Sequence, residues 1–139
     1  MSKSYIRYRS GYKYQLATRY SMPITIKPKK EIKTEFITLD TKGKLTIKEG
    51  YAWDGPSGPV VDTKENMRAS VVHDALYQLM RQKKLSVTAY KDRADKIFKN
   101  ICIQDGVPKK IASAYYLGLK LGGKPATDPK NKKKIHRAP

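Results

Sequence analysis

The apolar residues of this chain change their spacing once, and the change falls on Asp54-Gly55-Pro56-Ser57-Gly58-Pro59. Before it, apolar positions recur at every second residue, the mark of strands whose side chains alternate between two faces. After it they recur at spacings of three and four, the mark of helices with one buried stripe. Glycine and proline crowd these six positions, so neither pattern runs through. Strands first and helices second restrict the chain to an α+β fold. The expected architecture is an N-terminal antiparallel β-sheet of hairpins followed by a three-helix C-terminal layer.

In the strand half, Tyr5, Arg7 and Arg9 alternate with Ile6 and Tyr8, and Ser10-Gly11 turns the chain towards Tyr12, Tyr14 and Leu16. Pro23 to Lys27 reads as a third strand, because a proline suits a strand start or an edge. Glu35–Leu39 and Leu45–Lys48 flank Asp40-Thr41-Lys42-Gly43-Lys44, a second hairpin turn. Tyr51-Ala52-Trp53 extends the sheet edge.

The first helix is expected from about Lys64 to Arg81, capped by Asp62 or Thr63, with Met67, Val71, Val72, Ala75, Leu76, Leu79 and Met80 inward. The second begins near Ser86 or Thr88, buries Ala94, Ile97, Phe98 and Ile101, and ends at Gly106. Pro108 starts the third, where its missing N–H costs nothing. Ile111, Ala114, Tyr115, Gly118 and Leu119 are its expected buried stripe, stopped by Gly122-Gly123. Residues 1–123 thus form one expected domain, and residues 124–139 a flexible basic tail rich in Pro, Lys and Asn.

Charge bears most directly on partners. The chain of 139 residues carries 30 Lys+Arg against 12 Asp+Glu, a formal +18. Such an excess repels itself, and a polyanion is its natural complement: nucleic acid, an anionic lipid surface or an acidic cell-envelope polymer. The alternative is a solubilising lysine-rich surface. In the tail, Lys130, Lys132, Lys133, Lys134 and Arg137 are the candidate polyanion contacts. Cys102, the single cysteine, excludes an intramolecular disulfide and suits a small core position in Ile101-Cys102-Ile103. No apolar run opens the chain as a signal peptide would, and none approaches the roughly 20 residues of a membrane span.

Two constellations carry residue types suited to chemistry. In Trp53–Pro59, glycines let backbone approach a ligand, prolines fix the loop, and Trp53, Asp54 and Ser57 offer side chains to it. The bland alternative is a tight β-to-α connection in which Asp54 and Ser57 bond their own backbone. On the first helix, His73 and Tyr77 share a face, while Asp74 points about 100° away. Asp95, beside buried positions of the second helix, is the inward carboxylate; Asp92 is the exposed ion-pair member. Imidazole with carboxylates suits metal ligation or acid–base work, and equally a buried structural pairing.

With these residues laid out, the chain resembles a phage and bacterial family catalogued as domain of unknown function 1353. The resemblance rests on Gly50-Tyr51-Ala52-Trp53-Asp54 with Ser57 and Pro59, on Arg68 to His73-Asp74-Ala75-Leu76-Tyr77, on Ala94-Asp95-Lys96-Ile97-Phe98, on Gly106-Val107-Pro108, and on Tyr115 to Gly123. It covers about residues 35–123. Trp53 departs from the family's threonine, and Gly55-Pro56 precede Ser57. The resemblance implies a viral or prophage origin, with the host cytoplasm or the virion as location and phage structural proteins as partners. It singles out Asp54, Ser57, His73, Asp74, Tyr77 and Asp95 as a group and assigns them no role.

Three functions compete. The first is an accessory or virion-associated protein that contacts a polyanion, with tyrosines (Tyr5, Tyr8, Tyr12, Tyr14, Tyr20) between basic residues able to stack on bases or sugars. The second is a hydrolase. In it His73, Asp74, Asp95 and Asp54 would hold Zn, Mg or Mn and its water, or Ser57 would act with His73 and an aspartate. The third is a buried polar network of His73, Asp74 and Asp95 that only holds the structure.

Overall fold

In the computed structural model the described residues are 5–6, 8–9, 14–55, 63–122 and 127–128. The chain divides into two compact units at Asp54–Gly55, inside the segment where the apolar period changes. Two antiparallel sheets precede three helices, so the fold is α+β.

In the β unit, β1 (Tyr8–Arg9), β2 (Tyr14–Leu16) and β7 (Ala52–Trp53) form one sheet in the order β1-β2-β7. The other contains β3 (Tyr20–Pro23), β4 (Ile32–Lys33), β5 (Ile37–Leu39) and β6 (Lys44–Ile47), in the order β3-β6-β5-β4. Register sorts the second sheet's faces. Tyr20 and Ile37 both stand opposite Ile47, and Met22 and Leu39 opposite Leu45; all six are buried. The other face carries Ser21 opposite Thr46, with the serine hydroxyl donating to the threonine hydroxyl at 3.0 Å. This period of two is what an alternating sequence dictates.

The Asp40–Lys44 turn closes the β5–β6 hairpin as expected. Asp40 Oδ1 accepts from the backbone of Lys42 and Lys44 at 2.9 and 2.8 Å. Those N–H groups, Lys44 first, lower the carboxyl's pKa against the opposing effect of desolvation. Gly43 has φ +90°, and a Cβ there would stand 2.5 Å from the Ile24 carbonyl oxygen. Only glycine fits.

One strand assignment needs correction. Pro23 ends a strand instead of starting one: the ladder belongs to Tyr20–Pro23, and Ile24 leaves it through a hydrogen bond from its N–H to the Gly43 carbonyl. Ile24 and Ile26 are still buried, so their alternation marks burial without pairing. Tyr20 is a core residue, which removes it from any set of stacking tyrosines. Trp53 is buried too, its ring 5.6 Å from that of Tyr14.

The helical unit contains α1 (Lys64–Arg81), α2 (Val87–Gln104) and α3 (Lys109–Gly122); α1 packs on α2 and α2 on α3. Thr63 caps α1, its N–H donating to Asn66 Oδ1 at 3.0 Å, and Ser86 caps α2 by accepting from the Ala89 N–H at 3.1 Å. α1 and α2 end in the same motif. Lys84 N–H reaches the Leu79 carbonyl and Lys83 N–H that of Met80; Val107 reaches Cys102 and Gly106 reaches Ile103. The left-handed position is held by Gly106 in one case and by Lys83, at φ 59°, in the other.

The expected stripes of α1 and α2 are buried in full. Cys102 is among these core residues, and burial, helped by Asp105, pushes its thiol up to about 12. Of the stripe expected of α3, Leu119 alone is buried. Ile111 and Ala114 are exposed and Tyr115 and Gly118 half-buried, while Ala112, outside the expected stripe, is buried. Burial in α3 follows its contact line with α2, not its apolar content.

Candidate functional site

Asp95 is where α1 and α2 meet through polar groups. Its carboxylate is fully buried, at 0% exposure, on the inner face of α2. His73 Nε2 lies 2.7 Å from Oδ1 and the Tyr77 hydroxyl donates to the same oxygen at 2.5 Å. Spacing of four on α1 puts those two donors one above the other, their rings 4.0 Å apart. The Lys91 ammonium donates to Oδ2 at 2.8 Å from one turn earlier on α2, and also to the Leu119 carbonyl of α3 at 3.0 Å. Phe98 closes the apolar side, its ring 5.2 Å from the imidazole. The carboxylate and its lysine thus tie together all three helices.

Burial alone would raise the Asp95 pKa. Hydrogen bonds from His73, Lys91 and Tyr77 outweigh it and hold the carboxyl below the usual carboxylate range. An ionised carboxylate only accepts, so Nε2 carries the proton in the His73–Asp95 bond. Desolvation, then the bond to Asp95, moves the Tyr77 hydroxyl far above its ordinary value, so it remains a donor.

Other buried charges are also matched inside the helical unit. Arg68 makes two hydrogen bonds to Asp105, at 2.9 and 2.8 Å, and one to Gln104 at 2.9 Å. Arg81 donates to Gln78 Oε1 at 2.7 and 3.2 Å and lies 3.8 Å from Asp74 Oδ1. Asp92 pairs with Lys96 at 3.2 Å on the exposed side of α2 and also accepts from the Tyr116 hydroxyl.

The expected site is therefore assembled in part. His73, Tyr77 and Asp95 come together. Asp74, 100° further round α1, faces Arg81 and is not in the cluster. Trp53 and Asp54 belong to the β unit, where Asp54 is exposed. Ser57 lies outside the described residues, as do Lys130, Lys132, Lys133, Lys134 and Arg137. Among the described residues, no three of His, Cys, Asp and Glu gather where a metal ion could be held. Lys91 was not among the expected residues. Its signal was the four-residue spacing to Asp95, which places an ammonium over an inward carboxylate.

A family model described as "Protein of unknown function (DUF1353)" matches residues 30–119, well over half of the chain. The chain belongs to the DUF1353 family. The matched region runs from just before β4 to Leu119, whose carbonyl receives Lys91. All four side chains of the Asp95 network fall inside the DUF1353 region, whereas β1 to β3 and the basic tail fall outside it. No curated protein and no solved structure matches the chain.

Proposed function

We propose that this DUF1353 protein is a small basic accessory or virion-associated phage protein that contacts a polyanion, and that the Asp95 network fastens its helices together. The charge carries the reading: +18 over 139 residues, with Lys83, Lys84, Arg93, Lys96, Lys109, Lys110 and Lys120 all exposed on the helical unit. Cations on a surface and not in a closed pocket suit a repeating anion better than one small ligand. The buried arginines are engaged with carboxylates and amides, so they hold the unit together while the lysines face outward. Nucleic acid and acidic envelope polymers share the required chemistry, and the host cytoplasm or the particle is where such a protein would meet them.

Salt titration tests this. Affinity for duplex or single-stranded DNA, or for an anionic wall polymer, should fall steeply as salt rises from 50 to about 200 mM. An affinity that stays flat, or no binding to any of these, overturns the reading.

The hydrolase alternative has one observation behind it. A carboxylate hydrogen-bonded to an imidazole is how a general base is oriented, and His73–Asp95 has that form. Against it stand the burial of His73, at 2% exposure, and the use of both Asp95 oxygens by protein donors. Metal content of the purified chain, compared between wild type and His73→Ala, separates the two. A stoichiometric ion that the variant loses would favour the hydrolase.

A further inference from the structure

Among the described residues the exposed large apolar side chains concentrate on α3: Ile111, Leu117 and Leu121, at 45, 54 and 79% exposure. At 100° per residue they fall, with Ala114 and Gly118, into one arc of roughly 120°, away from the buried Ala112 and Leu119. A lone exposed leucine means nothing, but a stripe along a helix does. Lys110 stands in the same arc at its amino end, and Lys120 and Lys109 lie about 60° and 80° beyond its Leu117 edge. No acidic residue occurs in α3.

We propose that α3 is a membrane-surface helix whose outward apolar arc sits at the acyl boundary of an anionic phospholipid bilayer, while Lys109, Lys110 and Lys120 meet the lipid phosphates. The proposal rests on the polyanion reading and names one anion for one surface. Charge selects this occupant. A second copy of the chain would bring another +18 to the same face, whereas anionic lipid offers apolar depth and negative charge together. Lysine stems can lie along the apolar arc and keep their ammonium groups at phosphate level. The helix lies on the bilayer and does not cross it. Its 14 residues span about 21 Å, short of the roughly 30 Å hydrocarbon core. No described helix is long and apolar enough to span.

The test uses the full chain with vesicles of phosphatidylglycerol and phosphatidylcholine, against phosphatidylcholine alone. Wild type should sediment with the anionic vesicles only. Leu117→Ser/Leu121→Ser should bind them about tenfold more weakly or worse, with its DNA affinity unchanged. Because Cys102 is buried, a Leu121→Cys variant takes an environment-sensitive dye at position 121 alone. The dye's emission should shift to the blue on anionic vesicles. This second measurement stands even if the double variant folds poorly. Equal vesicle binding by wild type and double variant, or no blue shift, overturns the membrane helix and leaves the polyanion reading intact. A dimer in light scattering that the double variant converts to monomer assigns the face to a second copy and overturns the proposal. Failure to bind vesicles, DNA and the anionic wall polymer alike overturns both readings.

Discussion

From Asn66 to Arg81 every residue of α1 is buried, polar ones included, whereas α3 buries only Ala112 and Leu119 and turns Ile111, Leu117 and Leu121 outward. The two helices err in opposite directions from the simple rule of apolar inside and polar outside. In α1 each deviation is matched: Arg68 with Asp105, His73 and Tyr77 with Asp95, Arg81 with Gln78. A buried charge without a partner costs several kcal/mol, so such pairs fix positions even when they add little net stability. In α3 the deviation has no match among the described residues. Water tolerates an exposed leucine cheaply, so no internal force removes it. Matched polar burial marks an internal fastening; unmatched apolar exposure marks a surface for something else.

The largest expected effect breaks the first half of that contrast. Asp95→Ala leaves the buried His73 and Tyr77 donors without their acceptor and the half-buried Lys91 ammonium with only the Leu119 carbonyl, and should destabilise the protein by about 3–5 kcal/mol, read as a fall in melting temperature or urea midpoint. Melting like wild type would mean that α1 is not fastened at Asp95. The same carboxylate sets an acid dependence. Its folded pKa is below the unfolded value of about 3.9. Its contribution is therefore fully present above the unfolded value and fades as pH falls through about 4 towards the folded one. In a pH series of melts, Asp95→Asn should lose stability at neutral pH and show a shallower decline in acid than wild type.

Tyr77→Phe is milder, because Oδ1 of Asp95 keeps His73. The expected loss is about 1.5 kcal/mol, that of one hydrogen bond to a charged acceptor, measured by the same melts. A larger loss would show that the hydroxyl also holds the imidazole, 4.0 Å from the ring that the variant keeps, in place on Asp95. Lys83→Gly runs the other way. Lys83 and Gly106 hold the same left-handed place in two helix ends, and only the lysine carries a Cβ into it. The substitution should raise stability by about 0.5–1 kcal/mol, strain relief outweighing the added freedom of the unfolded chain. An unchanged or lower melting temperature would show that the Lys83 side chain contributes more than its backbone costs.

Much of this architecture could be read from the sequence where the determinant is local. Thr63, Ser86 and Gly106 bound helices because caps work within one turn, and the residues predicted for the α1 and α2 stripes are the ones buried. Pairing is not local. Ile24-Thr25-Ile26 alternates as well as any strand, yet the ladder went to Tyr20–Pro23, whose partner Lys44–Ile47 is over twenty residues away. Two-residue β4 left no pattern to find. At the site, His73, Tyr77 and Asp95 were legible from helical spacing, since each side of the network is set within one helix. Lys91 escaped because a lysine amid Asp92 and Arg93 looks like any solvated charge, although its ammonium turns inward to Asp95 and Leu119. The α3 stripe was misjudged for a related reason: an apolar face says that burial is favourable, and only the neighbouring helix says where burial occurs.

The smallest expected effect probes that last point. Leu121 is 79% exposed, so Leu121→Ser removes almost no packing and should change stability by less than about 0.5 kcal/mol. Serine is a poorer helix former than leucine, but near the helix end, before Gly122, that penalty is small. A null result in melting is therefore informative: it keeps α3 as an outward surface, distinct from the saturated interior of α1. A loss above about 1 kcal/mol would be out of scale for an exposed side chain. It would mean that the leucine is covered in solution, and the contrast between the two helices would then reduce to a difference in which neighbour does the covering.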